Sequence, residues 1–220
     1  MSADPRAVRA CLGALFLAAL AAPAAAQPAA APVSYQRVRS VELPRAGFTV
    51  SSADVRGGAF SERQESNAFG CGGQNLSPAL SWRGAPAGTR SFAVTVFDPD
   101  APTGSGFWHW IVYDIPATVH SLPSGAGRPA RDGEAPLLPP GAVQAVTDFG
   151  APGFGGACPP PGDAAHRYVI TVHALGTDHV EVPEGATHAV VRFILHSHTL
   201  ATASLTARYA RPAAAGADAR

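Results

Sequence analysis

Two carboxylic acids set among prolines, Asp98-Pro99-Asp100-Ala101-Pro102, follow directly on a hydrophobic run, and here residue types and spacing could first do chemistry. The prolines restrict the backbone, so such a turn can aim one carboxylate inward while the other accepts backbone hydrogen bonds, as in an Asx turn. Two acids that only cap a turn would show the same pattern. His109 lies in Trp108-His109-Trp110. In a strand its imidazole faces away from both indoles, which can pack and support it. It reads either as half of a buried acid and imidazole pair or as a core histidine with a satisfied hydrogen bond. His166 and Tyr168 are two apart, so within one strand they share a face and offer an imidazole and a phenol. Just upstream, Gly153 to Gly162 supplies amides unshielded by large side chains, which glycines can turn toward an anion. The loop lacks the Gly-Lys-Ser/Thr ending of a nucleotide-phosphate loop, and the chain has no lysine at all.

Other chemistries compete for these residues. A hydrolase, metal-independent or metal-assisted, would use Asp98 to orient His109 or His166 as a base, but no serine stands in a nucleophile-elbow context and Cys158 is flanked by proline. Asp98, Asp100, His109 and His166 are metal-ligand types, yet spacing alone does not make them converge, so no metal and no cofactor is expected. Ser197 between His196 and His198 adds nothing to catalysis, because neighbours on a short helix point about 100 degrees apart. His120, His173, His179 and His188 are scattered and receive no site assignment.

The elements that must position these groups come from a chain of 220 residues, 46% hydrophobic, with 23 Gly and 21 Pro. That composition supports one core and argues against long helices. Residues 1–26 are set apart: Arg6 and Arg9 precede an apolar run from Ala10 to Ala22 and then Ala24-Ala25-Ala26, the pattern of a secretory signal cleaved before Gln27. The expected product is periplasmic or secreted, without a transmembrane segment, since the run is shorter than the roughly 20 residues of a span. Cleavage leaves a net charge of about −1, which gives no general attraction to nucleic acid. It also leaves Cys71 and Cys158, an even pair that reads as a disulfide in an exported chain.

After an Ala/Pro lead-in over 27–34, the folded domain is expected over 35–210, with a frayed tail over 211–220. Strands are expected at Phe48 to Ser51, Phe92 to Phe97, Trp108 to Asp114, more weakly at Ala142 to Thr147, at Arg167 to Leu175, at Ala189 to Leu195 and at Leu205 to Tyr209. The run at 189–195 is so continuously apolar that it reads as a central strand covered on both faces. His196 to Ala203 has helix-tolerant composition over about two turns. Strands separated by irregular loops give a mainly β fold, an antiparallel or mixed two-sheet sandwich with long loops and short peripheral helices.

Taken together, Asp98-Pro99-Asp100-Ala101-Pro102, Trp108-His109-Trp110-Ile111-Val112-Tyr113, Gly155-Gly156 through His166-Arg167-Tyr168, and Asn75-Leu76-Ser77-Pro78-Ala79-Leu80-Ser81-Trp82 resemble the phosphatidylethanolamine-binding protein family, in its bacterial, Raf kinase inhibitor-like branch. The likeness runs from about Val38 to Tyr209. It implies a small anion pocket for phosphate or a phospholipid headgroup, lined by Asp98, His109, His166 and Tyr168, with Gly156 and Pro160 as walls and Asp100, Trp108 and Trp110 in support. Eukaryotic members usually add a C-terminal helix bearing a further pocket tyrosine, a pattern from which the alanine-rich tail departs. The expected function is a non-enzymatic binding module for a small phosphate-containing or other anionic ligand, with a hydrolase, or an interaction or inhibitory module with a vestigial pocket and an unknown protein partner, as alternatives.

Overall fold

A computed structural model describes residues 46–128 and 137–213. The expected signal, the lead-in and most of the tail lie outside the described residues. The order is β1 (Thr49–Ser51), β2 (Leu80–Arg83), β3 (Ser91–Asp98), β4 (Phe107–Pro116), β5 (Ser121–Leu122), β6 (Val143–Gln144), β7 (His166–Leu175), α1 (His188–His198) and β8 (Thr199–Tyr209). Two antiparallel sheets form, β1-β2-β5 and β6-β4-β3-β7-β8. Leu80, Trp82, Phe92, Val94, Val96, Trp110, Val112, Ile170 and Val172 belong to one core that joins residues of both sheets. On the other face of the large sheet, Ala93, Ile111, Tyr113 and Leu175 pack with Val191 and Leu195 of α1. The architecture is therefore a two-sheet sandwich with a helix laid on one face. β3, at the centre of the large sheet, has core on both faces, which is why its sequence is apolar without alternation. No helix among the described residues is long and apolar enough to cross a membrane.

The run at 189–195 is not a strand but the body of α1. Val191 and Leu195, four apart, are buried, whereas Val190 and Phe193 are exposed, Phe193 by 74%. The helical period is present in the burial but hidden in the composition, because the outward positions are also apolar. Thr187 caps the helix, its side chain accepting from the Val190 amide. The helix ends at His198, so the helix-tolerant stretch to Ala203 is mostly strand. β8 accordingly begins six residues before the expected Leu205, at Thr199. Its buried Ala201, Ala203 and Ala207 are small, which left little strand signal. The strand expected at 142–147 shrinks to Val143–Gln144. Arg211, expected in the frayed tail, donates to the carbonyls of Pro159 and Gly70 at 2.7 and 3.0 Å.

Candidate functional site

Asp98 ends β3, and its carboxylate does both jobs that its turn allowed. Oδ1 accepts from the amides of Asp100 (2.8 Å) and Ala101 (3.1 Å), closing the turn. Oδ2 accepts from Nδ1 of His166 at 2.7 Å. Both residues are buried, so this is a desolvated acid and imidazole pair 68 residues apart in sequence. Asp100 points to a different partner: it takes the Arg167 amide at 2.8 Å and the Arg167 guanidinium at 2.6 and 2.9 Å. The side-chain bond from Arg167 holds the Asp100 carboxyl down to about 2. Asp100 thus ties the turn after β3 to the start of β7, which fixes the spacing of Asp98 and His166.

His109 reaches the site through an irregularity in β4. Val96 pairs with Trp110 and Phe97 with Trp108, which leaves His109 as the extra residue of a β-bulge. A bulge breaks side-chain alternation, and the two tryptophans consequently part company. Trp110 sits in the sandwich core and donates to Gln144 Oε1 at 2.7 Å. Trp108 packs on the α1 side, stacked on Phe97 with the Arg192 guanidinium 3.7 Å over its ring. The expectation that both indoles share a face opposite His109 is corrected by this bulge. The His109 ring lies 5.1 Å from that of Tyr168, with Phe107 and Phe149 at 5.2 and 5.4 Å. Its Nδ1 is 2.7 Å from the Gly155 carbonyl oxygen, and burial pulls its pKa below the usual histidine value, against the opposing pull of that carbonyl and of Asp98.

Tyr168 is buried, and its hydroxyl has no hydrogen-bond partner among the described residues. Burial first, then the Asp98 charge and the closeness of that carboxylate as a hydrogen-bonding neighbour, push the phenol upward, so it stays protonated. An unpaired buried hydroxyl costs about 1–3 kcal/mol unless something completes it.

The glycine loop acts as a wall. The Gly155 amide donates to the His109 carbonyl at 2.9 Å and the Gly156 amide to Asn75 Oδ1 at 2.6 Å. The amides expected to face an anion are thus already engaged. A Cβ on Gly155 would lie 2.0 Å from the Phe149 ring, and one on Gly156 would lie 2.5 Å from the Ser66 nitrogen, so both glycines are set by close packing. Pro160 is half-buried and its carbonyl accepts from the Asp163 amide at 3.2 Å, in the strap that leads into β7. Cys71 and Cys158 are joined as a disulfide, which ties this strap to the 61–73 loop.

Phe107, Phe149, Asn75 and the buried Glu65, which accepts from the Tyr209 hydroxyl at 2.9 Å, were not singled out as site residues. Tyr209 is the cross-strand partner of His166. Asn75 had a signal as the first residue of the Asn75–Trp82 motif, whereas Phe149 had none beyond its place just before the Gly153 to Gly162 stretch. Next to His166 an open groove of about 520 Å³ is lined by Asp100, Asp163, Ala164, Ala165, Arg167 and Arg208. No group of three or more His, Cys, Asp or Glu side chains converges as a metal site among the described residues.

Residues 51–210 match the profile of the family described as phosphatidylethanolamine-binding protein. The chain belongs to the phosphatidylethanolamine-binding protein family. Its relatives place it in the bacterial, Raf kinase inhibitor-like branch. It is 51% identical over 165 residues to UPF0098 protein YbcL of Escherichia coli strain K12, covering 74% of this chain and 88% of that one. To UPF0098 protein YbhB of the same organism it is 48% identical, covering 72% and 97%. The crystal structure of E. coli YbcL, described as a member of the mammalian family of this kind, superposes with a TM-score of 0.69 at 50% identity over 74% of this chain and 98% of that one. The CT736 homolog from Chlamydia trachomatis gives a TM-score of 0.61 at 28% identity over 76% and 99%.

Proposed function

We propose that this is an exported, non-catalytic binding protein that takes a small phosphate-like anion between Tyr168 and His109, beside the Asp98–His166 pair. The observation that carries the reading is the buried Tyr168 hydroxyl, which has no hydrogen-bond partner among the described residues and stands beside the His109 ring and the Asp98–His166 pair. Phosphate and a phosphate-bearing headgroup share the chemistry that would complete it. The Asp98–His166 pair alone would also suit a hydrolase base, so the non-catalytic part of the reading rests on the nucleophile: Cys158 is tied up in the disulfide and no serine stands in a nucleophile-elbow context. Export rests on the basic, apolar and alanine-rich pattern of residues 1–26 and on the paired cysteines.

Calorimetric titration with inorganic phosphate tests the reading. Wild type should bind, Tyr168→Phe should bind about tenfold to a hundredfold more weakly, as expected for losing a hydrogen bond to a charged group, and neither should release product in phosphatase or esterase assays. Equal affinity in the two proteins would defeat the site, and turnover lost with His166→Ala would move the protein to the enzyme class.

A further inference from the structure

The polar atoms left to a ligand in this site include a bare acceptor. A carbonyl oxygen can only accept, so His109 Nδ1, 2.7 Å from that of Gly155, carries the hydrogen. In the neutral ring Nε2 is then a lone pair, and it makes no hydrogen bond among the described residues. The charged groups acting on this ring are Asp98 at the end of β3 and Asp148 before β7, both acids, and burial outweighs them to favour the neutral form. Tyr168 of β7, Phe107 of β4 and Phe149 of the glycine loop surround the ring, and Asp98 carries His166 as its partner. A fully ionised oxyanion would set its own lone pairs against Nε2 with Asp98 close by, a buried acceptor–acceptor contact.

Resting on the reading above, we propose that the site selects phosphate in its proton-bearing form, the P–OH donating to His109 Nε2 while an ionised oxygen accepts from the Tyr168 hydroxyl. Inorganic phosphate and phosphate monoesters can meet this requirement. Sulfate near neutrality and phosphodiesters cannot, because they have no such hydrogen. The selectivity thus follows from a tautomer that the Gly155 carbonyl imposes.

The test is titration of the mature protein with methyl phosphate, sulfate and dimethyl phosphate at about pH 5 and 7.5. With a second ionisation near pH ~6, methyl phosphate affinity should fall about 30-fold between those values, in step with the loss of its monoanion. At the higher pH its binding should take up close to one proton per ligand, read from two buffers of different ionisation heat. Sulfate and dimethyl phosphate should bind at least ~10-fold more weakly than methyl phosphate at pH 5. Sulfate binding as tightly as methyl phosphate, or gaining affinity in parallel with it as pH falls, would overturn the proposal and assign the proton to a histidine. A pH-independent methyl phosphate affinity would overturn it as well. Failure of all three ligands to bind would instead remove the binding reading on which it stands.

Discussion

Tyr168 and Gly156 show how single residues divide between binding and scaffolding. Because the Tyr168 hydroxyl is buried without a partner, Tyr168→Phe removes a liability from the ligand-free fold. Its thermal transition should be unchanged or shifted upward, by no more than about 1 kcal/mol, even as phosphate affinity falls. A melting temperature lowered along with affinity would mean that the hydroxyl supports the fold. Gly156→Ala should do the reverse: its Cβ would meet the backbone of Gln64, Glu65 and Ser66 at 2.5 to 2.7 Å, and backbone cannot move aside cheaply. A loss of about 1–3 kcal/mol in denaturant unfolding is expected. Wild-type stability would show that the 64–66 loop is mobile. Asp100 gives an acid signature of its own. Its carboxyl drops from 3.8 to about 2 in the fold, so its contribution is present above the unfolded value and is lost as pH falls through about 2. Asp100→Asn should flatten that part of the acid unfolding curve, and an unaltered curve would remove the Arg167 tie from the account.

At the scale of elements, the strands bearing chemistry were legible in the sequence because apolar β runs met prolines at a sharp end, as at Asp98-Pro99. The site face of His166 and Tyr168 followed from a spacing of two. The position of His109 did not, since nothing in Trp108-His109-Trp110 announces the bulge that turns the imidazole toward Tyr168. α1 escaped for a different reason: Phe193 and Val190 are apolar yet outward, so composition masked the period that burial reveals. Substitution separates the two readings. Phe193→Asp should change stability by less than about 0.5 kcal/mol, whereas Leu195→Ala should cost about 2–5 kcal/mol. Equal, large losses would argue for a strand covered on both faces. His173, on the α1 side of β7 and 3.2 Å from Thr95 Oγ1, is pulled down to about 4 by burial and then by the His196 charge. The unfolded chain binds a proton near 6.5 that the folded one refuses until about 4, so stability should rise with pH across that window. His173→Gln should remove this rise.

For the whole molecule, one long-range covalent tie and two cores hold the ends of the site together. The Cys71–Cys158 bond, with a separation of 87 residues, clips the glycine and proline strap to the loop carrying Asn75's neighbours. On the chain-entropy picture its removal by Cys71→Ser with Cys158→Ser should cost up to about 4–5 kcal/mol, seen as a lower denaturant midpoint. An unchanged midpoint would show that packing alone closes the loop. The sandwich and the acid-turn, histidine and tyrosine segments could be read ahead of the structure, because each is local in sequence. Their convergence could not, because the Asp98–His166 contact and the Gly155 carbonyl under His109 depend on register and bulges set by the entire large sheet. The central claim is that this convergence forms a phosphate site around an unfinished hydroxyl. The most direct measurement is a crystal structure of the mature protein with methyl phosphate bound. One ligand oxygen should lie within about 2.6–3.2 Å of the Tyr168 hydroxyl and another equally close to His109 Nε2. Ligand density confined to the outer groove at Arg208, with none against Tyr168 and His109, would contradict it.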